Sequence, residues 1–91
     1  MIGEWVIVRT YSAGVHFGRL KSIVGTVCEL EESRNIWSWR GANTLREVSL
    51  RGVGENSKIS EPVAIVLLTQ ATEIIPVTLE AKENLMRSRW N

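Results

Sequence analysis

The chain has 91 residues, which is the size of one domain, and we treat residues 1–91 as a single unit. Its apolar fraction of 44% and charged fraction of 23% are typical of globular proteins and exclude a disordered chain. The formal net charge of +1 is a poor electrostatic footprint for duplex nucleic acid, so we do not expect that partner.

The first half of the chain is predicted to form four antiparallel strands in succession. The first runs from about Glu4 to Arg9, and the others are "VHFGRLKSIVG", "TVCELEE" and "RNIWSWR". All four are rich in β-branched, apolar or aromatic residues, and the last two alternate apolar and polar residues. Ser12–Gly14 and Gly25 mark turns, and Gly18 indicates a bulge or a close backbone approach. Their similar lengths and short connections favour a meander.

The second half is predicted to mix helices and strands. "ANTLREVSLRG" reads as a short helix, with Asn43 or Thr44 as N-cap and Gly52 as C-cap. "VGENSKISEP" is predicted to be a polar loop, "VAIVLLT" a central strand or one buried on both faces, and "TEIIPV" a sixth strand ended by Pro76. Thr78 N-caps a C-terminal helix. The predicted fold is α+β: a small antiparallel β-barrel or strongly bent sheet of five to six strands, with one short internal helix and a C-terminal helix.

Catalytic chemistry is poorly represented. The chain has no aspartate, and one histidine with one cysteine is too few for a metal site. The sequence has no "GxSxG", "GxxxxGK" or "GxGxxG" motif. We therefore expect a non-enzymatic protein without catalytic residues, metal or cofactor.

Three further features indicate a cytosolic protein without membrane contact. Cys28 is the only cysteine, so no internal disulfide can form. The apolar run "PVAIVLL" is too short to span a bilayer, and "MIGEWVIVRT" does not have the pattern of a signal peptide.

Trp37 and Trp39 are two of the four tryptophans of the chain. Strand alternation puts both on one face and Arg40 on the other. One interpretation makes them anchors of the core or of a protein interface. The other makes at least one of them a stacking surface for a ligand, with Arg9 or Arg40 at its phosphate. Trp90 lies near the end of the chain, and the pattern leaves open whether it docks on the domain.

The remaining candidate residues surround this stretch. Arg9, Tyr11 and His16 offer a cation, a ring and an imidazole, although His16 also suits a structural hydrogen bond at a sheet edge. "WRGANT" predicts a strand-to-helix corner with free backbone N–H groups that can hold an anion, unless Asn43 or Thr44 simply caps its own helix. From Arg34 to Arg51 the chain has four arginines and one acid, which indicates either a solvated surface or a site for a phosphate or carboxylate. The predicted ligand-binding residues are Arg9, Tyr11, His16, Trp37, Trp39, Arg40, Asn43 and Thr44.

Several segments carry a resemblance that covers about Val6 to Leu85. "VIVRTYSAGVHFGRL", "RNIWSWRGANTL" and "EIIPVTLEAKENL" resemble an uncharacterised family of small proteins of tailed bacteriophages. The most specific parts are the W-x-W-x-G-A and EIIP-x-T segments. The resemblance implies a phage accessory protein made in the host bacterial cytoplasm.

Two functions are compatible with these features. The first is a homo-oligomeric protein that sequesters a small anionic, nucleotide-type ligand, as a sponge for a signal of host immunity would. The alternative is a protein-interaction module that inhibits a host or phage protein through its tryptophan face.

Overall fold

A computed structural model describes residues 1–90 and has six strands and two helices. All strand pairs are antiparallel. Together with the two helices, which were both predicted, this confirms the α+β class. The elements are β1 (Trp5–Thr10), β2 (Val15–Val24), β3 (Val27–Ser38), α1 (Leu45–Arg51), β4 (Lys58–Ile59), β5 (Val63–Leu68), β6 (Ala71–Pro76) and α2 (Leu79–Arg87).

The strands form one open sheet with β5 and β6 on opposite edges. β3 pairs with β2 and also with β4 and β5, β2 pairs with β1, and β1 pairs with β6. Only Thr69 and Gln70 connect the two edges, and such a link spans at most about 11 Å. A flat sheet would separate these edges by about 19 Å, so the sheet must bend strongly at this end. Because β5 and β6 do not pair with each other within residues 1–90, a closed barrel is not confirmed.

The predicted third and fourth strands are one continuous strand, β3. A change of register against β2 occurs between Glu31 and Arg34, where Glu32 has a φ of 50°. This bulge interrupts the apolar alternation, and the sequence therefore looked like two strands. Gly18 lies opposite, where a Cβ would approach the Glu31 carbonyl oxygen to 3.0 Å, so the predicted close approach is confirmed.

Two hydrophobic clusters lie on the two faces of the sheet. The first joins the sheet to the helices and contains Ile7, Phe17, Ile36, Leu45, Val48, Val53, Ile59 and Leu85. The second contains Val6, Val8, Leu20, Cys28, Leu30 and Leu68, with Val66 and Ile74 packed against it. Both edge strands contribute to the second cluster, so it fills the inside of the bend.

The helix boundaries follow the predicted caps. Thr44 and Glu47 form a capping box at the start of α1, Gly52 ends α1 with a φ of 83°, and Thr78 caps α2. The predicted polar loop after α1 also contains β4, in which Ile59 is buried in the helix-side cluster.

The prediction that "VAIVLLT", which forms β5, is a central strand or one buried on both faces is wrong. β5 is an edge strand, and Val63, Ile65 and Leu67 are 49%, 49% and 62% exposed. Only the opposite face of β5 turns toward the core, where Val66 packs and Leu68 is buried. A continuous apolar run does not reveal whether a second strand lies beyond it.

Candidate functional site

An open groove of about 390 Å³ lies between the turn after β1 and the end of β3. We call it the tryptophan groove. Its walls are Ser12, Ala13, Gly14, Val15, Asn35, Ile36, Trp37 and Trp39. Thr10 stabilises the turn, since its hydroxyl accepts from the Ala13 N–H and donates to the Gly14 carbonyl. The Asn35 amide joins the two walls by donating to the Val15 carbonyl at 3.3 Å.

Trp37 is the exposed ring of the groove. It is 67% exposed and stacks on Trp90, with 6.2 Å between ring centroids and 21° between planes. The Lys58 ammonium lies 5.7 Å from the centroid of the Trp90 ring. Trp90 therefore docks on the domain, and the stack extends the aromatic surface beyond the groove.

Trp39 has a different environment although it lines the same groove. β3 ends at Ser38, so strand alternation no longer controls its direction. Trp39 is half-buried and packs against the helix-side cluster. Of the two rings, Trp37 is thus the one with surface left for a ligand beside its stack on Trp90, and Trp39 is mainly an anchor.

Arg9, Tyr11 and His16 lie close to the groove in sequence, but the lining found within residues 1–90 includes none of them. Tyr11 is 81% exposed, and the Arg9 Nε is 3.9 Å from a carboxylate oxygen of Glu73. The His16 Nε2 hydrogen bonds to the Ala13 carbonyl at 2.8 Å, and burial lowers the pKa of its imidazole. His16 therefore supports the turn that forms one wall.

The predicted free N–H groups at the strand-to-helix corner are occupied. The backbone N–H groups of Asn43 and Thr44 both donate to the Glu47 carboxylate, at 3.0 and 3.1 Å. Because this carboxylate takes the place of an external anion, the structure agrees with the second alternative, in which Thr44 caps its own helix. Arg40 precedes this corner in the chain, and its backbone N–H donates to the Ser57 hydroxyl. Its exposed guanidinium has no ion pair in the described part of the chain.

The chemistry of the groove follows from its walls. None of its eight lining residues carries a charge. Two indole rings, aliphatic side chains, one amide and one hydroxyl suit an apolar or aromatic group with few hydrogen bonds. A phosphate would find its cation outside the groove, at Arg40 or Arg9.

Sequence reasoning does not reveal the role of Arg34, which is only one of four arginines in the stretch that predicts a solvated surface or an anion site. Arg34 is 4% exposed, and its guanidinium donates to the carbonyls of Ser60, Leu85, Met86 and Ser88 at 2.6 to 2.9 Å. Burial lowers its pKa, as does the charge of Arg89, while Glu61 raises it. It ties β3 to the end of α2, where a cation is favoured by the helix dipole. Arg34 thus positions the segment that carries Trp90.

Other binding classes find little support in residues 1–90. No three His, Cys, Asp or Glu side chains are grouped so as to hold a metal ion there. No helix in that range has the length and apolar character needed to cross a membrane.

Comparison with known proteins gives one finding. The family model described as a domain of unknown function (DUF6948) matches residues 3–85, so the chain belongs to this family. No curated protein and no solved structure matches the chain.

Proposed function

We propose that this DUF6948 protein is a protein-interaction module that binds an apolar, aromatic-bearing segment of a host or phage protein in the tryptophan groove and thereby inhibits that protein. The observation that carries the proposal is the exposure of Trp37 at the mouth of an uncharged groove. Exposed tryptophans beside a pocket are the usual anchors of protein interfaces. The phage resemblance supplies the setting, a bacterial cytoplasm.

The architecture suits such a role because hydrogen bonds and core packing hold both walls of the groove in place. The Thr10 hydrogen bonds fix one wall, and Asn35 links it to β3. Trp39 anchors the other wall in the core. A partner would therefore bind a largely formed site and would have to displace little structure.

Selection of a displayed peptide library against the protein tests this proposal. We expect peptides with aromatic or large apolar anchors that bind with about micromolar affinity. Trp37→Ala should weaken them at least about tenfold. Leu79→Ala is the matched control, because Leu79 is 69% exposed but does not line the groove. Failure to select any peptide, or equal binding by both variants, would overturn the proposal.

A small anionic ligand held between subunits of a homo-oligomer is the second candidate. The exposed guanidinium of Arg40, which makes no ion pair within residues 1–90, lies directly after Trp39 and favours it, because a ring in the groove could place a phosphate toward this cation. Calorimetry with cyclic and linear nucleotides is the test. Binding that depends on both Trp37 and Arg40 would support this candidate, and no heat at about 10 μM protein across the panel would refute it for those ligands.

A further inference from the structure

The edge strand β5 does not carry the features that usually protect a sheet edge. Exposed edges are normally blunted by charged residues, proline or bulges. Residues Val63–Leu68 include neither a charge nor a proline, and their register against β3 is unbroken. The opposite edge, β6, has Glu73, Pro76 and a register shift against β1. β5 is therefore the edge that is suited to further strand pairing.

The outer face of β5 adds an apolar row to this free edge. Val63, Ile65 and Leu67 alternate along the strand and are each about half exposed or more. On the inner face Ala64 is exposed and Val66 only half-buried, so the second hydrophobic cluster is also incomplete here. A strand paired with β5 would set its own side chains beside the apolar residues of both faces.

The charges around this row restrict the partner. Glu29 and Glu31 are the β3 neighbours of Leu67 and Ile65. Lys21 lies 3.8 Å from Glu29, and Arg19 lies 3.2 Å from Glu31 and 3.9 Å from Glu32. These carboxylates are thus held in ion pairs, and β5 itself carries no charge that would select a charged segment. It fits a neutral, apolar, extended strand, and β5 itself has that chemistry.

We propose that β5 pairs antiparallel with β5 of a second copy about a two-fold axis at Ile65, so that the two sheets become continuous. In this register Ile65 faces Ile65 of the partner subunit, and Val63 faces Leu67 of the partner subunit. The strand is self-complementary in this arrangement, as a two-fold interface requires. Three aliphatic side chains and a six-residue backbone edge per copy bury roughly 1,000 Å² in total, the low end of specific interfaces.

The interface is small, so we expect a weak dimer. A dimer with so small an area should have a Kd of about 1–100 μM. Sedimentation velocity between about 1 and 500 μM should therefore show a shift from monomer to dimer. Ile65→Lys should weaken the dimer at least about tenfold, because it places two ammonium groups at the axis. Leu50→Lys, at an α1 residue that is 51% exposed, should dimerise as the wild type does.

Cross-linking tests the register and does not depend on the lysine variant folding. Ile65→Cys should give a disulfide-linked dimer under mild oxidation, because antiparallel neighbours lie within disulfide range. Val63→Cys and Leu67→Cys should cross-link when mixed and much less when alone. Val24→Cys is the control, because Val24 is 79% exposed at the β2–β3 turn.

The outcomes separate this inference from the proposed function. A wild-type protein that stays monomeric at about 500 μM would overturn it, and so would cross-linking of Ile65→Cys no faster than of Val24→Cys. Trp37→Ala should dimerise normally, since Trp37 is not on β5. Dimerisation can therefore fail while the tryptophan groove still binds its peptide, and the reverse also holds.

Discussion

Replacing Arg34 with methionine should destabilise the protein strongly. Methionine fills much of the same space but removes a guanidinium that donates to four carbonyl oxygens. Three of these acceptors belong to Leu85, Met86 and Ser88 at the end of α2, and the fourth belongs to Ser60 before β5. The change therefore loosens two segments from β3 at once.

The magnitude follows from the number and kind of these hydrogen bonds. Hydrogen bonds to a charged group contribute about 1.5–3 kcal/mol each, but they share one side chain and do not add. Removing the guanidinium also relieves the cost of burying it, which offsets part of the loss. We expect Arg34→Met to lower the free energy of unfolding by about 3–5 kcal/mol. That is a large part of the roughly 5–14 kcal/mol expected for a chain of this length. Arg34→Lys should lose less, because it keeps a cation near the helix end.

Urea denaturation followed by circular dichroism measures this loss. Arg46→Met is the matched control, because the 81% exposed side chain of Arg46 makes one ion pair, with Glu73 at 3.3 Å. Surface pairs of this kind contribute at most about 1 kcal/mol. If Arg34→Met cost no more than Arg46→Met, the assignment of Arg34 as the tie between β3 and α2 would be wrong.

Three further results are expected. Burial lowers the pKa of His16 below its ordinary 6.5, so the unfolded chain binds more protons and stability should decrease as the pH falls through this value. In His16→Gln the urea midpoint should depend less on pH than in the wild type. An equal pH dependence in the two proteins would contradict the prediction. Cys28 is buried, and burial raises the pKa of its thiol. A thiol reagent should therefore modify the native protein only as fast as the structure around Cys28 opens. Rapid modification would contradict the buried position of Cys28. Gly52→Ala should cost more than about 1 kcal/mol in urea denaturation, because φ is 83° and the new Cβ would overlap the Asn84 amide; a neutral effect would refute this.

The local features of the fold could be predicted from the sequence. The sequence identifies Gly52 and Thr78 as caps and narrows the other N-cap to Asn43 or Thr44, because caps depend on residues within one turn of the helix end. Gly18 was identified because a strand glycine indicates close backbone approach. Each of these signals acts over a few residues, and the structure confirms all of them.

The features that depend on distant residues could not be predicted. The edge position of β5 depends on which strands pair with β3, and the apolar run looks the same in a central strand. The carbonyls that accept from Arg34 lie 26 to 54 residues away, so its burial leaves no local pattern. In the candidate site, the sequence identifies Trp37 and Trp39 but does not supply the opposite wall, residues 12–15. The β2–β3 pairing, with His16 opposite Asn35, brings that wall beside them.

The Arg34 tie also fixes how the chain can change in length. A residue inserted within α2 would rotate everything after it by about 100° and advance it by about 1.5 Å. The carbonyls of Leu85, Met86 and Ser88 would then miss a planar guanidinium whose donors cannot follow them. An insertion beside Glu55 or Asn56, by contrast, falls in an exposed turn and leaves this geometry intact. We therefore expect natural variation in length to collect in that turn, while the number of residues from Leu79 to Ser88 stays constant.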